Sequence, residues 1–202
     1  MRGVAFLKGV LAALLCAAAL AARGEEIEVR NVQLLPAEEG LALSADFAFD
    51  FAPRLAEMVA NGVPLYFVVE FELTRPRWWW FDEKAAAKRI QLRLSYHALS
   101  RHYRLSTGLL QQQFATLDEA LNVLRRLRSW LVMDRSAVLA DANYEAALRM
   151  RLDTTLLPKP FQLSAITSRE LTLESGWRRF VFRPAPAPAP VETRDAKEAD
   201  TK

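Results

Sequence analysis

Glu70 and Glu72 have the spacing that comes nearest to catalytic chemistry. They stand two apart in the alternating run Leu65–Leu73, so a strand would hold both carboxylates on one face, about 7 Å apart. That separation falls within the range of the paired carboxylates of inverting glycosidases. The competing reading is cross-strand pairing with Arg89 or Arg93, which requires no substrate. A general acid must hold its proton near neutral pH, and neighbouring cations favour the ionised form. Pairing is therefore the preferred reading, and a hydrolase using Glu70/Glu72 is the third-ranked expectation.

His97 and His102 flank Ala98-Leu99-Ser100-Arg101, a hairpin turn by composition. Two imidazoles could meet across it, but no third metal ligand is evident, and solvent-facing turn histidines are the simpler reading. Ser95, Ser100 and Ser106 offer hydroxyls, yet no Gly-x-Ser-x-Gly elbow presents one as a nucleophile. The single cysteine, Cys16, excludes a disulfide framework and cysteine-based zinc sites. Beyond residue 24 the glycines are Gly40, Gly62, Gly108 and Gly176, too far apart for a phosphate-cradling loop. The expectation is no metal, no cofactor and no enzymatic activity.

Arginine is the more suggestive chemistry. The chain has 21 Arg against six Lys, and Arg is the better bidentate partner for phosphate and carboxylate. Arg89, Arg93 and Arg104 would share the polar face of a sheet, with Arg149 and Arg151, and Arg178, Arg179 and Arg183, on strands nearby. This face is a candidate site for an anionic ligand, such as a lipid head group or an acidic protein segment. The alternative is a solvated surface laced with Glu and Asp pairs, each worth little.

Arg75-Pro76-Arg77-Trp78-Trp79-Trp80-Phe81 is the most unusual stretch. Alternate side chains of an extended chain point to opposite sides, so the four aromatics cannot all enter one core. Trp and Arg are enriched at interface hot spots, and Trp also favours membrane–water interfaces. Arg75, Arg77, Trp78, Trp79, Trp80 and Phe81 are therefore the leading candidate binding residues. A hairpin tip folded back over the sheet is the alternative.

The elements that must hold these residues are mostly strands. Leu41, Leu43, Ala45, Phe47, Phe49 and Phe51 alternate with Ser44, Asp46 and Asp50, the pattern of a half-buried strand. The same alternation runs through Leu65–Leu73, Ile90–Tyr96 and Tyr144–Leu152. Shorter candidates are Ile27–Leu34, His102–Ser106, Ile166–Leu173 and Trp177–Phe182. One-sided strands indicate antiparallel pairing. Pro53–Asn61 reads as a short helix, with Pro at its start and Asn61-Gly62 at its end. A longer helix is predicted from Leu117 to about Met133. Thr116 and Glu119 form its capping box, and Leu117, Ala120, Leu121, Leu124, Leu127 and Leu131 its apolar stripe. The expected fold is mainly β: an antiparallel β-sandwich or curved sheet of about eight strands, with one long covering helix and one short one.

Both termini read as attachments. Residues 1–22 have a basic start (Arg2, Lys8), an apolar run and the small-residue site Ala19-Leu20-Ala21, the layout of a secretory signal peptide. The run falls short of the ~20 residues of a spanning helix, so cleavage near Ala22 is favoured over an uncleaved anchor. A lipoprotein site at Cys16 is disfavoured by Leu15. At the other end, Pro alternates with Ala from Pro184 to Pro190, which favours an extended spacer. The remaining residues to Lys202 are polar or small and cannot fill a core. The expected organisation is a signal peptide over 1–22, a globular domain over 23–183 and a spacer with a charged tail over 184–202. Losing Arg2 and Lys8 leaves 25 basic residues against 24 acidic, a balance that argues against nucleic-acid binding.

Several stretches together resemble a known family. They are Asn61-Gly62-Val63-Pro64-Leu65, the Arg75–Trp80 turn, Tyr103-Arg104-Leu105-Ser106-Thr107, Phe114-Ala115-Thr116-Leu117-Asp118-Glu119-Ala120, Leu152-Asp153 through Leu157-Pro158-Lys159-Pro160-Phe161, and the terminal Trp177–Phe182 strand. The resemblance is to the proteobacterial domain-of-unknown-function family 4390, over roughly Glu26–Arg183. It implies a secreted envelope protein of unassigned function, and a gene neighbourhood that suggests a membrane sensor kinase as a partner. It carries over no catalytic residue.

The leading expectation is thus a non-enzymatic periplasmic accessory protein recognising another envelope protein, with a link to sensor-kinase signalling implied by the resemblance and no transmembrane span in the mature chain. A lipid- or glycan-binding module of the envelope is the second.

Overall fold

Alternation along the chain becomes two antiparallel sheets whose apolar faces meet. The computed structural model describes residues 26–77, 82–139, 142–167 and 171–184. The smaller sheet has the order β1 (Glu28–Pro36), β2 (Gly40–Ala48), β7 (Arg126–Asp134). The larger has six strands in the order β6 (Leu110–Phe114), β5 (His102–Thr107), β4 (Glu83–His97), β3 (Leu65–Arg75), β8 (Tyr144–Leu152), β9 (Arg178–Phe182). The inward residues Leu41, Leu43, Ala45 and Phe47 of β2 share one buried cluster with Phe67, Val69, Phe71 and Leu73 of β3. Ala146, Leu148, Met150 and Leu152 of β8 complete it. This is the expected mainly β, sandwich-like arrangement, with nine strands among the described residues where about eight were expected.

Three α-helices accompany the strands among the described residues: α1 (Pro53–Ala60), α2 (Leu117–Leu124) and α3 (Lys159–Thr167). The first forms where Pro53 suits the opening turn and Asn61-Gly62 the exit, with Leu55, Met58 and Val59 buried. The second opens on the capping box: Thr116 accepts from the Glu119 backbone N–H at 3.3 Å, and the Glu119 carboxylate accepts from the Thr116 N–H.

The long helix predicted to Met133 stops at Leu124, and the rest of the segment is β7. Leu127 and Leu131 satisfy a helical stripe, but they satisfy a bulged strand equally well. The decisive partner is β2, whose outer edge would otherwise be bare: Phe47 N–H donates to Arg125 O at 2.8 Å, and Asp46 then faces Arg126. Ser129, at φ 49, takes up the phase change as a bulge, its N–H donating to Ser44 Oγ at 3.1 Å. Arg125 remains at the helix end, where it caps Phe49 O at 3.0 Å and lies over the Phe49 ring. Arg126 and Arg128 are strand residues, not late-helix ones.

A second correction concerns Ile166–Leu173, predicted as a strand. Ile166 and Thr167 are the last residues of α3, and residues 168–170 lie outside the described residues. Only Leu173–Ser175 run beside β8, through Leu152 N–H to Leu173 O and Ser175 N–H to Met150 O. Two bonds make a bridge, and α3 occupies the chain before it. The sequence also gave no alternation for β6, Leu-Gln-Gln-Gln-Phe, which forms because the turn at Gly108 (φ 57) returns it against β5.

Candidate functional site

The outward faces of β3, β4, β5 and β8 bring the predicted arginines onto one surface. Register places Arg89, Glu70 and Arg149 in one row across three strands, and Arg93 opposite Tyr66. Arg151 stands opposite Val68, and Arg104 opposite Ser95. Sharing one face was expected of Arg89, Arg93 and Arg104; the β3–β8 pairing adds Arg149 and Arg151.

Carboxylates bind the cations in the central part of this face. Arg149 Nε donates to Glu70 Oε2 at 2.5 Å, and Arg151 Nε approaches the same oxygen at 3.5 Å. Asp153, a buried polar residue after β8, takes Arg89 at 3.4 Å and Arg151 at 3.8 Å. It also accepts from the Thr155 hydroxyl at 2.6 Å. Glu72 pairs with Lys84 at 2.9 Å. The cross-strand pairing expected of Glu70 is thus present, but with Arg149 and Arg151 rather than Arg89 or Arg93. Arg89 faces Glu70 in the register and reaches Asp153 instead; Arg93 lies over Tyr66, 5.9 Å from its centroid.

Two residues of this site were not singled out from sequence. Trp177 packs under Arg149, 4.5 Å from ring centroid to guanidinium carbon. Asp153 ended a strand and carried no visible signal beyond its charge. Glu70, Glu72, Arg89, Arg149 and Trp177 line a shallow hollow of about 200 Å³. It contains both carboxylates, each already bonded to a cation. On the edge strand, Arg179 pairs with Glu145 at 3.7 Å.

At the tip of the β3–β4 hairpin, Arg75 and Arg77 both bind the carboxylate of Glu83. Arg75 first, then Arg77, hold that carboxyl below its ordinary value of 4.5. Trp78, Trp79, Trp80 and Phe81 lie outside the described residues. The hairpin expected between His97 and His102 is present: the two are register partners at the β4–β5 turn, with His97 Nδ1 bonded to Ser100 Oγ at 2.9 Å. Among the described residues no cluster of three or more His, Cys, Asp or Glu could hold a metal. No helix of these residues is long and apolar enough to cross a membrane.

A different kind of surface lies on the inner side of the same sheet. Between β4–β6 and β7 with α2 runs a groove of about 550 Å³. Leu92, Leu105, Leu110, Leu127, Trp130 and Leu131 line it. β6 ends the six-stranded sheet, and Leu109 and Leu110 are exposed there.

Fold and surface together define a two-sheet antiparallel β-protein with an ion-paired outer face and an apolar seam. The chain belongs to the family described as Domain of unknown function (DUF4390), whose model matches residues 24–181. No curated protein and no solved structure matched the chain.

Proposed function

We propose that this chain is a non-enzymatic accessory protein of the proteobacterial periplasm that recognises another envelope protein. The observation that carries the reading is the seam beside β6. Natural edge strands are blunted by charge, proline or bulges, whereas β6 reads Leu110-Gln111-Gln112-Gln113-Phe114, without any charge or proline. Its outer edge, which pairs with no strand among the described residues, offers backbone donors and acceptors, and the adjoining groove offers leucine and tryptophan to alternate side chains. That combination suits an extended segment of another polypeptide added as a strand. A membrane sensor kinase is the first partner to test, and the aromatic residues Trp78–Phe81 would supply a second contact.

Export is part of the same reading. The mature chain would begin near Ala22, and the intact mass of protein recovered from the periplasm checks it. A retained N-terminus, or a lipid on Cys16, would overturn it.

The interaction is tested with a photo-cross-linker at Gln112, in the groove, and another at Leu99, exposed in the β4–β5 turn. The expected result is a saturable cross-link from Gln112 to one envelope protein, absent from Leu99 and lost on Leu110→Asp. Equal capture from both positions, or capture unaffected by Leu110→Asp, would overturn the reading.

The hollow at Glu70 and Glu72 favours a second reading, a glycan site with or without hydrolysis, since Trp177 adds a ring to the carboxylates. Occupied carboxylates count against hydrolysis: Glu70 serves two guanidinium groups and Glu72 an ammonium. Hydrolysis of envelope glycans abolished by Glu70→Gln would establish an enzyme; glycan binding without turnover would establish the lectin-like alternative.

A further inference from the structure

The arginine face is electrically divided, and only its outer part is free to take a ligand. Arg89, Arg149 and Arg151 each have an ion pair with Glu70 or Asp153. Arg93 and Arg104 have no ion pair with any described residue. Register sets Arg93 opposite Ser106 and Arg104 opposite Ser95, so the two arginines lie on a diagonal with a hydroxyl facing each. Diagonal neighbours across an antiparallel ladder are about 7–8 Å apart at the backbone, within reach of long side chains. Gln91, Gln111 and Gln113 continue this face on β4 and β6, facing Val68, Ser106 and Arg104, and none of them brings a negative charge.

Arg104 carries a further sign. Its Nε is the one buried side-chain polar atom among the described residues that lacks a hydrogen-bond partner. Buried donors are nearly always satisfied, and a guanidinium meets an oxyanion best through two adjacent N–H groups. A rotamer presenting the Nε edge of Arg104 to an oxyanion would satisfy that donor. The same anion would offset the repulsion between two neighbouring cations, with the Ser95 and Ser106 hydroxyls as further donors.

We propose that Arg93, Arg104, Ser95 and Ser106 form a phosphate-binding site on the outer face of the β4–β5 pair. The site takes a phosphate group, whether free in the periplasm or carried by the head group of an anionic phospholipid. It lies on the opposite face of the sheet from the apolar groove and does not depend on the partner proposed for that groove.

The test uses the protein as recovered after export, with its C-terminal tail, titrated with inorganic phosphate and with glycerol phosphate, and floated with vesicles of phosphatidylglycerol or of phosphatidylcholine. Arg93→Gln and Arg104→Gln are each expected to weaken binding about tenfold or more. Arg30→Gln, an exposed arginine paired with Glu28 on the other sheet, should leave binding unchanged. Should Arg104→Gln fail to fold, the exposed Arg93 reads the same site. Saturable binding of the soluble phosphates assigns a free ligand; binding of phosphatidylglycerol vesicles alone assigns a head group. Either supports the proposal. Binding to neither, equal loss in Arg30→Gln, or binding only to an acidic peptide such as polyglutamate would overturn it.

Discussion

Arg149 holds Glu70 from directly across the β3–β8 ladder, Nε to Oε2 at 2.5 Å, while Trp177 covers the other side of its guanidinium. Glu70 is therefore a structural anion at the centre of the large sheet, and removing it should be felt in stability before anything else. Its side chain is 19% exposed and that of Arg149 32%, so solvent screens the pair only in part. Glu70→Gln should destabilise the fold by about 1–3 kcal/mol. A double-mutant cycle with Arg149→Gln, read from denaturant midpoints, should return a coupling of about 1 kcal/mol. A coupling near zero would mean the two side chains act independently.

Gly40 tests the placement of β7. It sits at the start of β2 opposite Asp134, and a Cβ built there would lie 1.9 Å from Met133 O and 2.9 Å from Arg135 N. Both atoms are backbone, so neither can swing aside. Gly40→Ala should cost at least about 2 kcal/mol. A neutral substitution would mean that the 126–134 segment does not pair with β2 as described.

Glu83 sets an acid-range expectation. Its carboxyl is held below 4.5 by Arg75 and then Arg77, so its folded value is lower than its unfolded one. The stabilisation is present above the unfolded value and is lost as pH falls below about 4.5 through the folded value. Asp46 contributes in the same direction, held down by Asn31 and then Arg128. Melting temperature should drop on acidification in this range, and Glu83→Gln should make the drop shallower. An unchanged slope would show that the hairpin-tip pairing does not persist in solution.

The aromatic turn separates recognition from packing. If Trp78, Trp79 or Trp80 is a contact residue, its change to Ala should reduce partner capture strongly with little change in melting temperature. If all three serve only to cover the core, each should cost about 3 kcal/mol or more and none should reduce capture selectively. Melts and pull-downs on the three single variants distinguish these outcomes; the first is expected.

Much of the scaffold is local information. The alternating apolar residues of β2, β3 and β8 determine two-faced strands, because successive side chains of an extended chain must point to opposite sides. Pro53 and Asn61-Gly62 determine α1, and Thr116 with Glu119 determines the start of α2, since both act within a few residues. What the chain does after Leu124 is not local. Leu127 and Leu131 fit either period, and the bare edge of β2, some eighty residues earlier, decides for a strand. β6 has no periodicity of its own and exists only as the partner of β5. The site divides in the same way. Arg89, Arg93 and Arg104 could be set on one face by counting in twos. That Glu70 and Asp153 pair with Arg89, Arg149 and Arg151, and that Arg93 and Arg104 have no ion pair among the described residues, depends on strand order and register. Long arginine side chains choose partners across strands, and those distances are fixed only once the sheet has assembled.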